Sequence, residues 1–291
     1  MTRPVFRFAP SPNGELHLGH AYSVRLNQEM AAKAGGRLLL RIEDIDTARC
    51  TPEFEAGIYR DLEWLDVEWE RPVRRQSEHF AEYAKLLDRL VEAELVYPAF
   101  MSRGEARAHI AQAKDGGRTW PHDPDGVPLY PGLDKALTSR QRRLRMAAGD
   151  PFAWRLDMAA AIGALRMPPA WTEFADADMN STRKVDATPD LWGDVVLARR
   201  DVPTSYHLSV AADDALQGVT HVVRGLDLFA ATGIHRLLQM LLGLPEPAYF
   251  HHRLITGPDG RKLSKSLRDT GIDALRSSGR TADDVKRMVG L

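Results

Sequence analysis

Apolar and polar positions along the chain change period several times, and each change marks an element. Residues 3–10, Arg-Pro-Val-Phe-Arg-Phe-Ala-Pro, predict a short strand ending in the turn cluster Pro10–Gly14. From His17 to about Ala34 the pattern suits a helix, closed by Gly35-Gly36. Leu38-Leu39-Leu40-Arg41-Ile42 is a mostly apolar strand of the kind buried in a parallel sheet, and it runs into Glu43-Asp44-Ile45-Asp46. Helical periodicity follows at about 52–66 and 77–95. Strand, helix, strand, helix in this order predicts a parallel α/β sheet.

The rhythm breaks at Tyr97-Pro98. From there to about Asp190 the chain is rich in Gly, Pro and Asp, including His122-Asp123-Pro124-Asp125-Gly126, and reads as an inserted subdomain. Strand-like signals return at Asp194–Ala198, Tyr206–Ala211 and Thr220–Arg224, and a helix is expected from about Thr232 to Leu242. After a turn at Gly257-Pro258-Asp259-Gly260 come a lysine-bearing loop and a short terminal helix. The expected organisation is a core in two halves, 1–96 and 191–250, an insert over 97–190, and a tail over 251–291.

Composition narrows the class. The chain has 291 residues, 44% hydrophobic and 27% charged, enough to bury a sizeable core. No apolar run approaches the ~20 residues of a membrane span, and nothing at the start resembles a signal peptide. The single cysteine, Cys50, excludes intramolecular disulfides, so a cytoplasmic protein without a membrane partner is expected. Net charge is -1, but from His251 onward nine Lys/Arg face five Asp/Glu. A basic tail on a near-neutral body suits a polyanionic ligand, and equally a solvated helix end.

Two motifs carry chemistry. Pro10-Ser11-Pro12-Asn13-Gly14-Glu15-Leu16-His17-Leu18-Gly19-His20 follows a strand and opens a helix. His17 and His20 share one face of the first turn, where unpaired backbone N–H groups and the helix dipole favour an anion. Gly19 between them would let a flat base lie on the backbone. Such a place would hold ATP, although two polar residues opening a helix would read the same way. Near the other end, Gly260-Arg261-Lys262-Leu263-Ser264-Lys265-Ser266 sets two lysines behind a turn, able to close over a triphosphate as charge develops. By itself that stretch is also an ordinary basic surface loop.

Together, H-L-G-H and K-L-S-K-S resemble the paired signatures of class I aminoacyl-tRNA synthetases. The resemblance implies a Rossmann-like doubly wound parallel sheet with an acceptor-binding-like insert between its halves. It also implies ATP with Mg²⁺, and catalytic and ATP-binding roles for His17, His20, Lys262 and Lys265, with Gly19 in the ATP site. The stretches Arg7–Pro12, Leu40–Asp44, Tyr206–Leu208 and Val223–Leu228 are similar to glutamyl-tRNA synthetases. That likeness assigns Arg7 and Arg224 to substrate carboxylates, Ala9 and Ser11 to the edge of the amino acid, Glu43 to its ammonium, and Tyr206 to an aromatic wall. A zwitterion with an anionic side chain does need one acid and a bidentate arginine. Asp44 fits helix-cap chemistry instead, and glutamine stays open as a substrate because glutaminyl enzymes share this core.

Only 25 residues follow Ser266, where glutamyl-tRNA synthetases continue into anticodon-reading domains. The pattern resembles the short glutamyl-queuosine tRNA(Asp) synthetase family. This implies glutamate activation without tRNA, transfer to queuosine in the anticodon stem-loop of tRNA(Asp), and a monomer. A minimal enzyme charging tRNA(Glu), or a ligase passing glutamate to a small molecule, remains the alternative. Many members of that family carry a zinc site in the insert. Here the matching stretches are Tyr97-Pro98-Ala99-Phe100-Met101 and Tyr130-Pro131-Gly132-Leu133-Asp134, and Ala99 and Met101 are not thiolates. No structural zinc is expected, and packing of Phe100, Met101, Trp120 and Tyr130 should hold the insert. Arg140-Gln141-Arg142-Arg143-Leu144-Arg145, with Arg199-Arg200, reads as an RNA-contacting track or as the outer face of a helix.

Overall fold

The computed structural model describes residues 3–256 and 271–291. The first part alternates β1 (Val5–Phe8), α1 (Leu18–Lys33), β2 (Arg37–Ile42), α2 (Pro52–Trp64), β3 (Glu70–Arg75) and α3 (Phe80–Glu92). Then come β4 (Val96–Ala99), α4 (Arg103–Asp115), α5 (Ser139–Ala147), β5 (Ala153–Leu156), α6 (Met158–Gly163), β6 (Ala170–Phe174) and β7 (Thr182–Asp186). The last part holds β8 (Val196–Arg199), α7 (Tyr206–Leu216), β9 (His221–Gly225), α8 (Thr232–Leu242), β10 (Ala248–His252), α9 (Ile272–Ser277) and α10 (Ala282–Val289). No helix among the described residues is long and apolar enough to cross a membrane.

Seven strands form one sheet in the order β3-β2-β1-β9-β10-β6-β7, parallel except for the terminal β6–β7 pair. Both edges are charged: Glu70-Arg71-Pro72-Val73-Arg74-Arg75 at one end and Thr182-Arg183-Lys184-Val185-Asp186 at the other. Charge and proline discourage further strand addition, and they are why periodicity predicts no strand at β3. The chain winds from β1 outward to β3, then returns to β9 beside β1. This reversal opens a crevice at the carboxyl ends of β1 and β9, the binding position of open α/β sheets.

Residues β4, β5 and β8 form a separate three-stranded antiparallel sheet. The segment expected as one insert therefore contributes to both sheets, with β4 and β5 in the small sheet and β6 and β7 in the main one, while β8, beyond it, completes the small sheet. A second departure concerns Tyr206–Ala211, which is not a strand but the first part of α7. The Ser205 hydroxyl caps it, accepting from the Leu208 amide at 3.3 Å. Every residue from Leu208 to Asp214 is buried, and a helix buried all round shows no amphipathic period to distinguish it from a core strand.

Local chemistry fixes the element that matters most. α1 starts at the N-cap His17 and ends at Ala34, after which Gly35 takes φ +60°, a left-handed stop suited to glycine. One core joins Phe6, Leu40 and Ile42 of the sheet to Val24 of α1, Ile58 of α2, and Ile272 and Val285 of the tail helices. Each such fully buried side chain contributes roughly 2 kcal/mol. A second core packs Leu87, Leu197, Leu208 and Ile234 between α3, the small sheet, α7 and α8.

In the insert, Ala99 is buried in β4, Phe100 stacks obliquely on Phe152 at 5.7 Å, and the Trp120 indole donates to the Leu129 carbonyl at 2.9 Å. Packing is joined by a polar hub that the sequence did not reveal. The buried Asp134 carboxylate accepts from the amides of Phe100 (3.2 Å) and Met101 (3.4 Å) and from the Tyr130 hydroxyl. His109 packs edge-on against Trp120, and His122 bridges to Pro128. Among the described residues no group of three or more His, Cys, Asp or Glu side chains could hold a metal ion.

Candidate active site

At the crevice lies a cavity of about 370 Å³. Arg7, Ala9, Ser11, His17, Gly19, His20, Glu43, Tyr206 and Arg224 all line it, so every described residue expected in the site is brought to one place. Lys262 and Lys265 lie outside the described residues.

The two histidines form a reciprocal cap. His17 Nδ1 accepts from the Gly19 amide at 3.1 Å, and His20 Nδ1 accepts from the His17 amide at 3.1 Å. The His20 amide in turn donates to the His17 carbonyl at 2.8 Å. Three of the backbone donors expected to await an anion, the amides of His17, Gly19 and His20, are thus already paired. The rings take over the role: with Nδ1 accepting, a neutral imidazole carries its proton on Nε2 as a donor. Gly19 is explained by the same cap. A Cβ there would lie 3.0 Å from His17 Cε1 and 3.1 Å from Nδ1, displacing the ring that caps the helix.

Across the cavity runs a chain of buried charges. Asp214 Oδ1 on α7 accepts from Arg7 Nε at 3.1 Å and from Arg41 at 2.9 Å. Arg41 is wholly buried and also donates to Gln217 (3.0 Å) and to Glu43 Oε1 (3.2 Å). Burial would raise the Asp214 carboxyl, but Arg7 and Arg41 outweigh it and hold it below its usual range. For Glu43 the balance falls the other way: burial pushes its carboxyl up despite Arg41 and Arg7. An arriving cation would restore its charge. The neighbouring Asp213 accepts from Arg74 Nε (2.8 Å), Gln76 (2.8 Å) and Tyr83. Asp44 accepts from the Ser77 amide (2.8 Å) and hydroxyl (2.6 Å), the capping role its position suggested.

Arg224 is buried differently. Its Nε donates to His251 Nε2 at 3.1 Å, one terminal nitrogen meets His235 Nδ1 at 3.1 Å, and the other donates to Leu228 O (3.2 Å) and Thr232 Oγ1 (2.6 Å). His235 passes the pattern to His207 at 3.2 Å, and His251 Nδ1 meets Glu173 at 3.0 Å. Burial lowers His235 far below the ordinary imidazole range and His207 to about 4, and lowers His251 even against its bond to Glu173. The clamp on Arg224 is therefore neutral. Among the described residues no carboxylate lies within salt-bridge distance of it, so its charge faces the cavity uncompensated. Sequence reading missed Asp214, Thr232, His235 and His251; the one local signal was Asp213-Asp214 inside an otherwise apolar helix.

A second cavity, about 360 Å³, shares Ser11, Glu43 and Tyr206 with the first and extends toward Thr204, Arg49 and Arg199. Ser11 Oγ lies 3.6 Å from Cys50 Sγ at this junction.

A doubly wound sheet with a histidine-capped helix at its switch point, beside buried arginines, is the architecture of ligand-binding open α/β enzymes. The chain belongs to the family described as tRNA synthetases class I (E and Q), catalytic domain, which matches residues 5–288. It is 45% identical over 293 residues to the glutamyl-Q tRNA(Asp) synthetase of Rhodobacter capsulatus, covering 99% of this chain and 100% of that one. The glutamyl-Q tRNA(Asp) synthetase of Geobacter sulfurreducens is 39% identical over 261 residues, 90% of this chain and 75% of that one. Among solved structures, a glutamate-tRNA synthetase from Elizabethkingia anophelis superposes with a TM-score of 0.75 at 26% identity, over 92% of this chain. This chain spans about half of that structure, 54%.

Proposed function

We propose that this protein activates glutamate with ATP as glutamyl-adenylate and transfers it to the queuosine base of the tRNA(Asp) anticodon. The observation that carries the amino-acid assignment is the pairing of Arg224, charged and held only by neutral groups, with Glu43 in the same cavity. A ligand with carboxylate and ammonium ends satisfies both. Arg7, already shared with Asp214, adds a second carboxylate contact, and Tyr206 walls the site. The likeness to glutamyl-Q synthetases, over the full length of the Rhodobacter capsulatus protein and 75% of the Geobacter sulfurreducens one, favours the queuosine acceptor over tRNA(Glu) or a small molecule.

In the first step an α-carboxylate oxygen of glutamate attacks the α-phosphorus of ATP. The bond to the bridging oxygen breaks, and pyrophosphate leaves with that electron pair. His17 and His20 offer Nε2–H donors to phosphate oxygens, and Lys262 and Lys265 are assigned to the same charge from their motif. Mg²⁺ supplies charge neutralisation when it arrives on the nucleotide's phosphates; the described residues offer it no ligand cluster of their own. In the second step a hydroxyl oxygen of the queuosine cyclopentenediol attacks the glutamyl carbonyl; the bond from that carbonyl to the phosphate oxygen breaks, AMP leaves with the electron pair, and the hydroxyl proton is released to solvent.

The test has two parts. Glutamate-dependent ATP–pyrophosphate exchange should proceed without tRNA, and labelled glutamate should pass to tRNA(Asp) containing queuosine but not to tRNA(Asp) lacking it. Transfer to tRNA(Glu) instead would make this a conventional minimal synthetase. Exchange without any RNA transfer would point to a small acceptor, and absence of exchange would refute the reading.

A further inference from the structure

Beyond the second cavity the structure holds another hollow, about 380 Å³, whose walls include Met146, Phe152, Trp154, Arg199 and Arg200. Arg199 lines both, so the two hollows are neighbours on the same side of that residue's strand end. Phe152 and Trp154 are two residues apart at β5 and so face the same way, with their rings 5.4 Å apart and nearly perpendicular. Both are only partly buried. Trp154 leans on the second core, while Phe152 is braced by Phe100.

The charge around this hollow is one-sided. α5 buries none of its residues and carries Arg140, Arg142, Arg143 and Arg145. Asp150, which also lines the hollow, is taken by Arg145 at 2.7 Å, and Arg199 has the exposed Asp201 at 3.3 Å. Arg140, Arg143 and Arg200 make no ion pair with another described residue. Half-buried aromatic rings beside an arginine free of ion pairs, Arg200, with further basic residues on neighbouring α5, are what unstacked bases and their phosphates bind.

We propose that this hollow receives an unpaired base of the acceptor RNA, stacked against Trp154 and Phe152, with adjoining phosphates held by Arg199 and Arg200. The proposal rests on the RNA-transfer reading above and adds the surface that holds the loop while one of its nucleotides reaches the adenylate. Arg199, common to the walls of both cavities, sets this hollow next to the one that shares Ser11, Glu43 and Tyr206 with the first cavity. The groups involved take no part in activating glutamate, so RNA use and adenylate formation should separate.

The experiment measures exchange without RNA and transfer to queuosine-containing tRNA(Asp) for Trp154→Ala, Trp154→Phe and Arg200→Gln. Exchange should be unchanged in all three. Trp154→Ala should raise the KM for tRNA about ten-fold or more, the scale of one lost stacking contact, and Trp154→Phe should recover most of it. Arg200 is exposed, so its variant should fold, and it should flatten the dependence of tRNA binding on salt by about 0.7 in log–log slope. With unmodified protein, an abasic nucleotide at one loop position should cost as much as Trp154→Ala, and in that variant should cost nothing more. A normal tRNA KM in Trp154→Ala with exchange intact would overturn the proposal, as would an abasic series with no sensitive position. Wild-type protein lacking transfer to any RNA would instead overturn the reading on which it rests.

Discussion

Replacing Glu43 with glutamine separates the substrate's ammonium from the protein's own charge chain. The amide keeps the shape and an acceptor for Arg41, and Arg41 retains Asp214 at 2.9 Å and Gln217 at 3.0 Å, so no buried cation is orphaned. The fold should therefore lose no more than about 1 kcal/mol, the scale of one weakened hydrogen bond. The ligand loses a charge-assisted bond of about 1.5–3 kcal/mol, which corresponds to a rise of about 10- to 150-fold in the KM for glutamate. ATP–pyrophosphate exchange at varied glutamate measures this directly, with the KM for ATP as the internal control. The pH dependence gives a second reading. Burial holds the Glu43 carboxyl above its usual range, so it takes up a proton as pH falls from neutral and its grip on an ammonium weakens. In the wild type, glutamate KM should climb as pH falls more steeply than in the variant. A Glu43→Gln enzyme with glutamate KM within two-fold of wild type and the same pH profile would refute the assignment.

Three further outcomes are expected. Asp214→Asn removes the anion shared by two buried arginines and should destabilise the fold by about 3–5 kcal/mol in urea denaturation; a change below 1 kcal/mol would show that Asp213 and Gln217 suffice. Burial raises the Asp61 carboxyl to about 6, against the pull of Arg276. The folded state thus holds that proton more tightly than the unfolded chain, and stability present below about pH 4 is lost as pH rises through 6, by about 2 kcal/mol. Asp61→Asn should remove this component, visible as a flatter difference in urea midpoint between pH 4 and 7. Asp134→Ala should cost about 2–3 kcal/mol by stranding two amides and a tyrosine hydroxyl, whereas a zinc chelator should leave the melting temperature unchanged; a chelator-induced drop would place a metal in the insert.

What could be read in advance was what is local. The strand, turn and helix around His17 and His20 sit in one stretch, and their chemistry is written within three residues. Arg7, Glu43 and Arg224 were assigned through the likeness of their flanking stretches to glutamyl-tRNA synthetases, and each lies toward the carboxyl end of a strand or just after it. Their partners were not, because Asp214 lies 207 residues from Arg7, and His251 lies 27 from Arg224. Compensation of buried charge is a long-range property with no period of its own. The same limit explains α7: an apolar run buried on all sides carries no face to count. It also explains β6 and β7, whose place in the main sheet depends on β10 rather than on their own sequence. At the helix start the motif was legible but its hydrogen bonds were not, since the same two rings could have left the amides open or, as found, closed them.

The chain from Arg7 through Asp214 to Arg41 has a consequence for how the molecule could be divided. Both arginines come from the first ninety residues, and their carboxylate arrives from α7, more than a hundred residues later. Expressed alone, the amino-terminal half would have to seal Arg7 in its sheet without a counter-ion and leave Arg41 with Glu43 as its one remaining carboxylate, or leave β1 and β2 wet. Nor could the carboxyl-terminal half hide Asp214 without them. Split-protein fragments of this enzyme should thus be mutually dependent, gaining order only on meeting, and the first structure they complete together is the base of the crevice between β1 and β9.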